Sequence, residues 1–201
     1  MQKFMRGNLK IMVEAAVMIA LATVLSEIQF ARLPFGGSVT LFSMVPIMLI
    51  ALRHGAAWGL ICAFVYSNTQ LILGLGHLTW VPTISGKIFC VLFDFTLAFS
   101  FLGIAGFFKC SIDKQTAKSS KIFIISAAVI CVCLLRYISH VISAIIVWRG
   151  LLEIPEDIFT YLAGTALGYN AAYMIPETII SLAAVPAIIT VLSALKARKT
   201  A

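Results

Sequence analysis

The chain has 201 residues, 61% of them hydrophobic and only 11% charged, with a formal net charge of +7 and a mean hydropathy of +1.04. Soluble domains carry roughly 25% charged residues, so this composition excludes a soluble globular protein and points to one embedded in a bilayer. At about 20 apolar residues per span, the length holds about six transmembrane helices in a single domain covering residues 1–201, with no room for a large soluble domain.

The apolar segments fall, in chain order, at about 10–31, 40–53, 55–76, 81–108, 121–148 and 160–195. They predict an all-α integral membrane protein, a bundle of six transmembrane helices. The first run lacks an A-x-A-type cleavage site and reads as a span, not as a removed signal. The second is short and contains Pro46, which fits a tilted or partly broken helix. The last is long enough to extend past the bilayer. Leu33-Pro34-Phe35-Gly36-Gly37-Ser38 joins the first two segments, and Gly74-Leu75-Gly76-His77-Leu78-Thr79-Trp80-Val81-Pro82 joins the third and fourth. These glycine-rich, aromatic stretches are either lids over a pocket or interfacial turns with a belt tryptophan.

Charge sets the orientation. If six spans alternate, Lys3, Arg6, Lys10, Arg53, Lys109, Lys114, Lys118, Lys121, Lys196, Arg198 and Lys199 share one side, which is eleven of the fifteen basic residues. The other side has Arg32 and Arg149, with Glu153, Glu156 and Asp157 in its last loop. The positive-inside rule therefore places both termini in the cytoplasm. The same distribution argues against nucleic acid as a partner, because the cations sit at alternate helix ends. The five cysteines form no C-x-x-C pair and read as small buried hydrophobes of a reduced chain, with no disulfide framework and no metal site.

Polar residues inside the spans carry the functional signal. In the fifth segment, Arg136-Tyr137-Ile-Ser-His140-Val-Ile-Ser143 leads to Trp148. A charged side chain at bilayer depth costs roughly 2.5–3.5 kcal/mol on insertion scales and usually faces a bundle interior or cavity. At about 100° per residue, Arg136, Tyr137, His140, Ser143 and Trp148 share an arc of roughly 140°. That arc is either a pocket wall or a packing face with one snorkelling arginine. Arg136 lies about 18 Å from either helix end, deep for snorkelling. Asp94, mid-span in the fourth segment, needs a partner, with Arg136 and Lys87 as the candidates. Asn170, at similar depth in the sixth, offers both donors and acceptors for a heterocycle edge or for a neighbouring helix. Together these residues describe an outward-facing site for a small, flat, partly charged molecule. In the first segment, Ala16 and Ala20 form a small-xxx-small pair that allows close helix approach. No phosphate-binding loop, HExxH or GxSxG is present, so active transport would need an outside energy source.

At these residues the chain resembles the substrate-binding S components of energy-coupling factor (ECF) vitamin transporters, and within them the thiamine-specific ThiT (YuaJ) family. The matching pieces include Val13-Glu14-Ala15-Ala16, Gly37-Ser38-Val39-Thr40-Leu41, Arg53-His54-Gly55, Asp94-Phe95, the Arg136 to Trp148 motif, and Tyr169-Asn170 with Tyr173-Met174 and Pro176-Glu177. The helix 5 and 6 motifs are the specific ones. The resemblance implies a multi-pass protein of a prokaryotic plasma membrane that captures thiamine from outside, under a loop between the first two helices. It implies no cofactor and no ATPase of its own. An ECF coupling subunit carrying two ATPases would dock on Ala16 and Ala20. By position, His140, Trp148 and Asn170 match ligand contacts, and Asp94, Phe95, Tyr137 and Tyr169 join them as candidates. Arg136 is expected to pair with Asp94. Two differences stand out: Phe95 replaces a usual tyrosine, and Thr165 stands where some members have one. The alternatives are an S component for another vitamin or thiamine precursor, and a small intramembrane enzyme using His140 and Asp94 as acid and base.

Overall fold

The computed structural model describes residues 2–148, 164 and 166–200. The acidic loop residues Glu153, Glu156 and Asp157, and Arg149 and Thr165, lie outside them. Helices dominate: α1 (Gln2–Glu27), α2 (Val45–His54), α3 (Ala56–Leu73), α4 (Ile84–Asp113), α5 (Lys118–Ile146), α6 (Gly168–Ala183) and α7 (Val185–Thr200). Four of them (α1, α3, α4 and α5) are long and apolar enough to cross a membrane, and the α6–α7 pair makes a fifth candidate span. The last predicted segment is thus two helices, bent by 40°. Pro186, second in α7, has no N–H to continue the α6 ladder.

The second predicted span is only a ten-residue helix, roughly 15 Å long at the α-helical rise. Pro46 pre-sets its first turn, and Gly55, at φ +93°, ends it while its N–H donates to the Ala51 carbonyl at 2.8 Å.

An unpredicted hairpin occupies the stretch before α2. Strands β1 (Gln29–Arg32) and β2 (Ser38–Thr40) pair antiparallel, with Ala31 opposite Val39 and Arg32 opposite Ser38. The first predicted segment ran to 31, but α1 stops at Glu27 and the chain turns into β1. The tight turn at 34–36 places Phe35 at φ +65°. Phe42, in the corner between β2 and α2, is also left-handed, at φ +55°. For residues with a Cβ this conformation costs roughly 1–2 kcal/mol, so surrounding contacts must hold both.

The core runs between α2, α3, α4 and α5 and is closed by α7; Ile47, Met48, Leu102, Ile125, Val129 and Ile188 are buried in it. Glycines bring α3 and α4 into backbone contact. A Cβ on Gly103 would lie 2.5 Å from the Leu60 nitrogen, and one on Gly106 2.5 Å from the Ala56 nitrogen. Small residues permit this approach where no hydrophobic effect drives helices together in lipid. The outward faces carry exposed Ile61, Phe64, Phe107, Phe123, Ile130 and Ile179, as a lipid-facing surface requires.

At the end of the bundle opposite the hairpin, Arg53 bonds to Glu14 and His54 lies 3.2 Å from the same carboxylate. This ties α2 to α1.

A candidate ligand cavity beneath the hairpin

A cavity of about 500 Å³ opens at the hairpin end, between the 33–37 turn, the Leu75–Trp80 turn, α4, α5 and α6. Its size falls within the roughly 300–1,000 Å³ of small-molecule sites.

Asp94 is its chemical centre, and the backbone explains how it gets there. Over Val91–Leu97 the α4 helix widens into a π-helical turn, a distortion that frequently marks functional sites. Ser139 on α5 donates to the Phe93 carbonyl at 2.6 Å, satisfying a backbone group beside the widened turn. The carboxylate next door is heavily partnered. It accepts from Ser143 Oγ at 2.6 Å and from Trp148 Nε1 at 3.2 Å, with Cys90 Sγ at 3.4 Å. His140 Nδ1 lies 3.1 Å from its other oxygen. Ionised carboxylates only accept, so this ring of donors suits a negative charge held in place. With Nδ1 committed to Asp94, the buried His140 Nε2 has no protein partner.

Six of the seven candidate ligand contacts line the cavity, namely Asp94, Phe95, His140, Trp148, Tyr169 and Asn170, and so does Arg136. Asn170 Nδ2 donates to the Ala166 carbonyl at 2.7 Å, and its Oδ1 accepts from Tyr173 at 2.6 Å. One amide hydrogen and one lone pair therefore remain available. Tyr169 takes part differently from a simple ring contact. Its hydroxyl accepts from the Gly37 N–H at 2.9 Å and donates to the Pro34 carbonyl, bridging the hairpin turn.

Two expectations fail. Tyr137 does not line the cavity; it lies at the edge of the predicted arc and its hydroxyl donates to the Leu167 carbonyl at 3.1 Å. The ion pair between Arg136 and Asp94 does not form. Arg136 reaches the cavity wall instead through Met44, 3.0 Å from the sulfur, with its guanidinium 4.4 Å above the Phe99 ring. Lys87, the other candidate partner of Asp94, is exposed near the start of α4. Asp94 needed neither cation because neutral donors and one histidine surround it. Ala16 and Ala20 lie on the exposed side of α1.

Sequence reasoning did not assign Phe35 and His77 to the wall, although both sit in the glycine-rich turns it flagged. With Trp80, Trp148 and Phe95 they form a continuous band of rings. Ring centroids are 6.3 Å apart for Phe35 and Trp148, 6.4 Å for Trp80 and Trp148, 5.2 Å for His77 and Trp80, and 6.3 Å for His77 and Phe95. Negative ring faces above a carboxylate make a site for a flat cation. Burial holds the His77 pKa below its ordinary value, partly opposed by the Asp94 charge, so His77 adds a neutral ring at pH 7.

Comparison with known proteins identifies the family. The sequence profile of the family described as "Thiamine transporter protein (Thia_YuaJ)" matches residues 12–197. The thiamine transporter ThiT of Bacillus subtilis (strain 168) is 34% identical over 179 residues, covering 84% of each chain. The solved structure of ThiT from Listeria monocytogenes shares the fold at a TM-score of 0.67 and 19% identity, over 96% of this chain and 97% of that one. The chain therefore belongs to the thiamine transporter (Thia_YuaJ) family, multi-pass cell-membrane proteins that move a substrate rather than transform it.

Proposed function

We propose that this chain is the thiamine-capturing S component of an ECF-type transporter, and that the cavity around Asp94 is its vitamin site. The observation that carries this reading is the fully partnered Asp94 carboxylate beneath a band of five rings. Thiamine joins a permanently cationic thiazolium to an aminopyrimidine. The cation takes the place beside Asp94 and the aromatic faces, where each cation–π contact is worth about 0.5–2 kcal/mol. The aminopyrimidine edge meets His140 Nε2 and the open hydrogen-bonding positions of Asn170. The 33–37 turn covers the mouth. Arg136 stays out of contact with the thiazolium, held back by Met44 and Phe99.

In this reading residues 1–201 form one transmembrane domain of six helical units, counting α2 as a short one and α6–α7 as one, with both termini cytoplasmic. The chain hydrolyses no ATP. A coupling subunit with two ATPases docks on α1 at Ala16 and Ala20, whose exposure supports that role. Titrating thiamine into the purified chain in detergent, and following tryptophan emission, tests the proposal. Trp148 and Trp80 line the cavity, so emission should change saturably. No change up to high micromolar thiamine refutes the assignment.

A further inference from the structure

Two buried charged residues have no role in holding a thiazolium: Arg136, 8% exposed, and Glu177, 1% exposed. They come from different helices, yet both land on the short corner at residues 40–44 between β2 and α2. Glu177 Oε1 accepts from the Thr40 N–H at 2.5 Å and from Thr40 Oγ1 at 2.7 Å. Thr40 and Ser43 hydroxyls stand 2.6 Å apart. Arg136 Nη1 holds the next residue, Met44, through its sulfur. Inside this corner lies Phe42 at φ +55°. A strained, non-glycine backbone persists only where its surroundings over-determine it, and here the surroundings are one carboxylate, one guanidinium and a hydroxyl pair.

The corner is also the inner root of the hairpin whose turn closes the cavity. β2 ends at Thr40, and Thr40 and Ser43 line the cavity floor. At its far end the same hairpin is bridged by Tyr169, two helical turns from Glu177 on α6. One helix thus grips the hairpin at root and tip. Only the tip contact is at a half-buried residue; the root is sealed.

We infer that Glu177 is a positioning residue for ligand capture: by holding Thr40 it pins the root of the hairpin, so the covering turn swings about a fixed corner. Arg136 acts with it from the opposite wall. The role is mechanical, exercised through Thr40, and it requires an acceptor oxygen at Glu177. It rests on the thiamine-site reading only for its effect on ligand release, because the pinning itself belongs to the empty protein.

The test therefore has two readouts. Amide hydrogen exchange of peptides covering residues 38–44, measured without ligand, reports the root directly. Thiamine dissociation, measured by stopped-flow tryptophan fluorescence, reports the consequence. Glu177→Ala should speed both by about tenfold or more, since two buried hydrogen bonds to one acceptor oxygen are lost. Glu177→Gln keeps an acceptor oxygen and should stay within about threefold of wild type. Thr40→Val, which removes the hydroxyl but keeps the shape, should fall between. Exchange at the wild-type rate in Glu177→Ala overturns the inference, as does a Gln variant as damaged as Ala. If Glu177→Ala does not fold, wild-type exchange in Thr40→Val overturns it. A protein that shows the exchange effect but binds no thiamine retains the pinned root and refutes only the vitamin assignment.

Discussion

Replacing Asp94 by asparagine is the most direct probe of the cavity's charge. The two side chains have the same shape, so packing against Ser143, Trp148 and Cys90 is conserved while the negative charge disappears. A cationic ring seated in the cavity would stand about 5 Å from the carboxylate, where two unit charges at an effective dielectric of about 20 interact by about 3 kcal/mol. Loss of that attraction weakens thiamine binding by roughly two orders of magnitude in Kd. A smaller cost comes from the ring of donors: Ser143 can turn its hydroxyl, but the Trp148 indole N–H cannot become an acceptor. That second cost is paid for any ligand. Isothermal titration of wild type and Asp94→Asn with thiamine, and with an analogue carrying an uncharged ring in place of the thiazolium, separates the two. The charge-specific part is the difference between the two losses. Equal losses for both ligands, or a loss under threefold for thiamine, would show that the carboxylate holds the wall and not the cation.

Three further outcomes are expected. Tyr169→Phe keeps the ring but removes the hydroxyl that joins the Gly37 N–H to the Pro34 carbonyl, so ligand release should quicken by about 5–30-fold, the equivalent of 1–2 kcal/mol, in a stopped-flow displacement assay. Thiamine affinity should fall as the pH drops below the ordinary histidine range: the lowered pKa of His77 means it is neutral above that range, and its protonation sets a positive charge against a cationic ligand. His140 also faces Asp94 and the cavity, so the share due to His77 is read as the part of the slope that His77→Gln abolishes; an unchanged slope contradicts its role. Gly103→Val inserts side-chain atoms where a Cβ alone would lie 2.5 Å from the Leu60 backbone, and should lower the melting temperature in detergent by several degrees while a Gly76→Val control, at a position with open space, leaves it unchanged.

How much of this was legible in the sequence differs by level. The bilayer, the long spans and the polar interior were readable because burying Asp94, Arg136 and His140 in lipid without cause is too costly to be accidental. The angular arc of α5 placed Arg136, His140 and Ser143 on the buried side, and all three are buried. The pairing of Arg136 with Asp94 misled because charge complementarity ignores geometry. Within the bundle, a carboxylate can be satisfied by neutral donors, and the guanidinium found a ring and a sulfur instead. The hairpin was hidden because residues 29–31 continue the first apolar run and residues 33–38 read as a simple joining loop, so the two short strands on either side of the turn had no alternation long enough to show. Ser139 and the widened turn at Val91–Leu97 left no sequence signal, since a π-helical turn has no residue signature of its own.

That widened turn carries a consequence for how such a site changes over time. The orientation of Asp94 depends on one surplus residue being accommodated within a helical turn, not on the aspartate alone. Excising a single outward-facing position such as Leu92, 40% exposed, would let the turn rewind to 3.6 residues per turn and shift the residues within it, Asp94 among them, by up to about 100° while both flanks keep their faces. Every ring and donor could remain in the sequence, and the carboxylate would no longer meet them. Recognition in this architecture is therefore vulnerable to an insertion or deletion on the outward side of a helix, a kind of change that substitution scanning never samples.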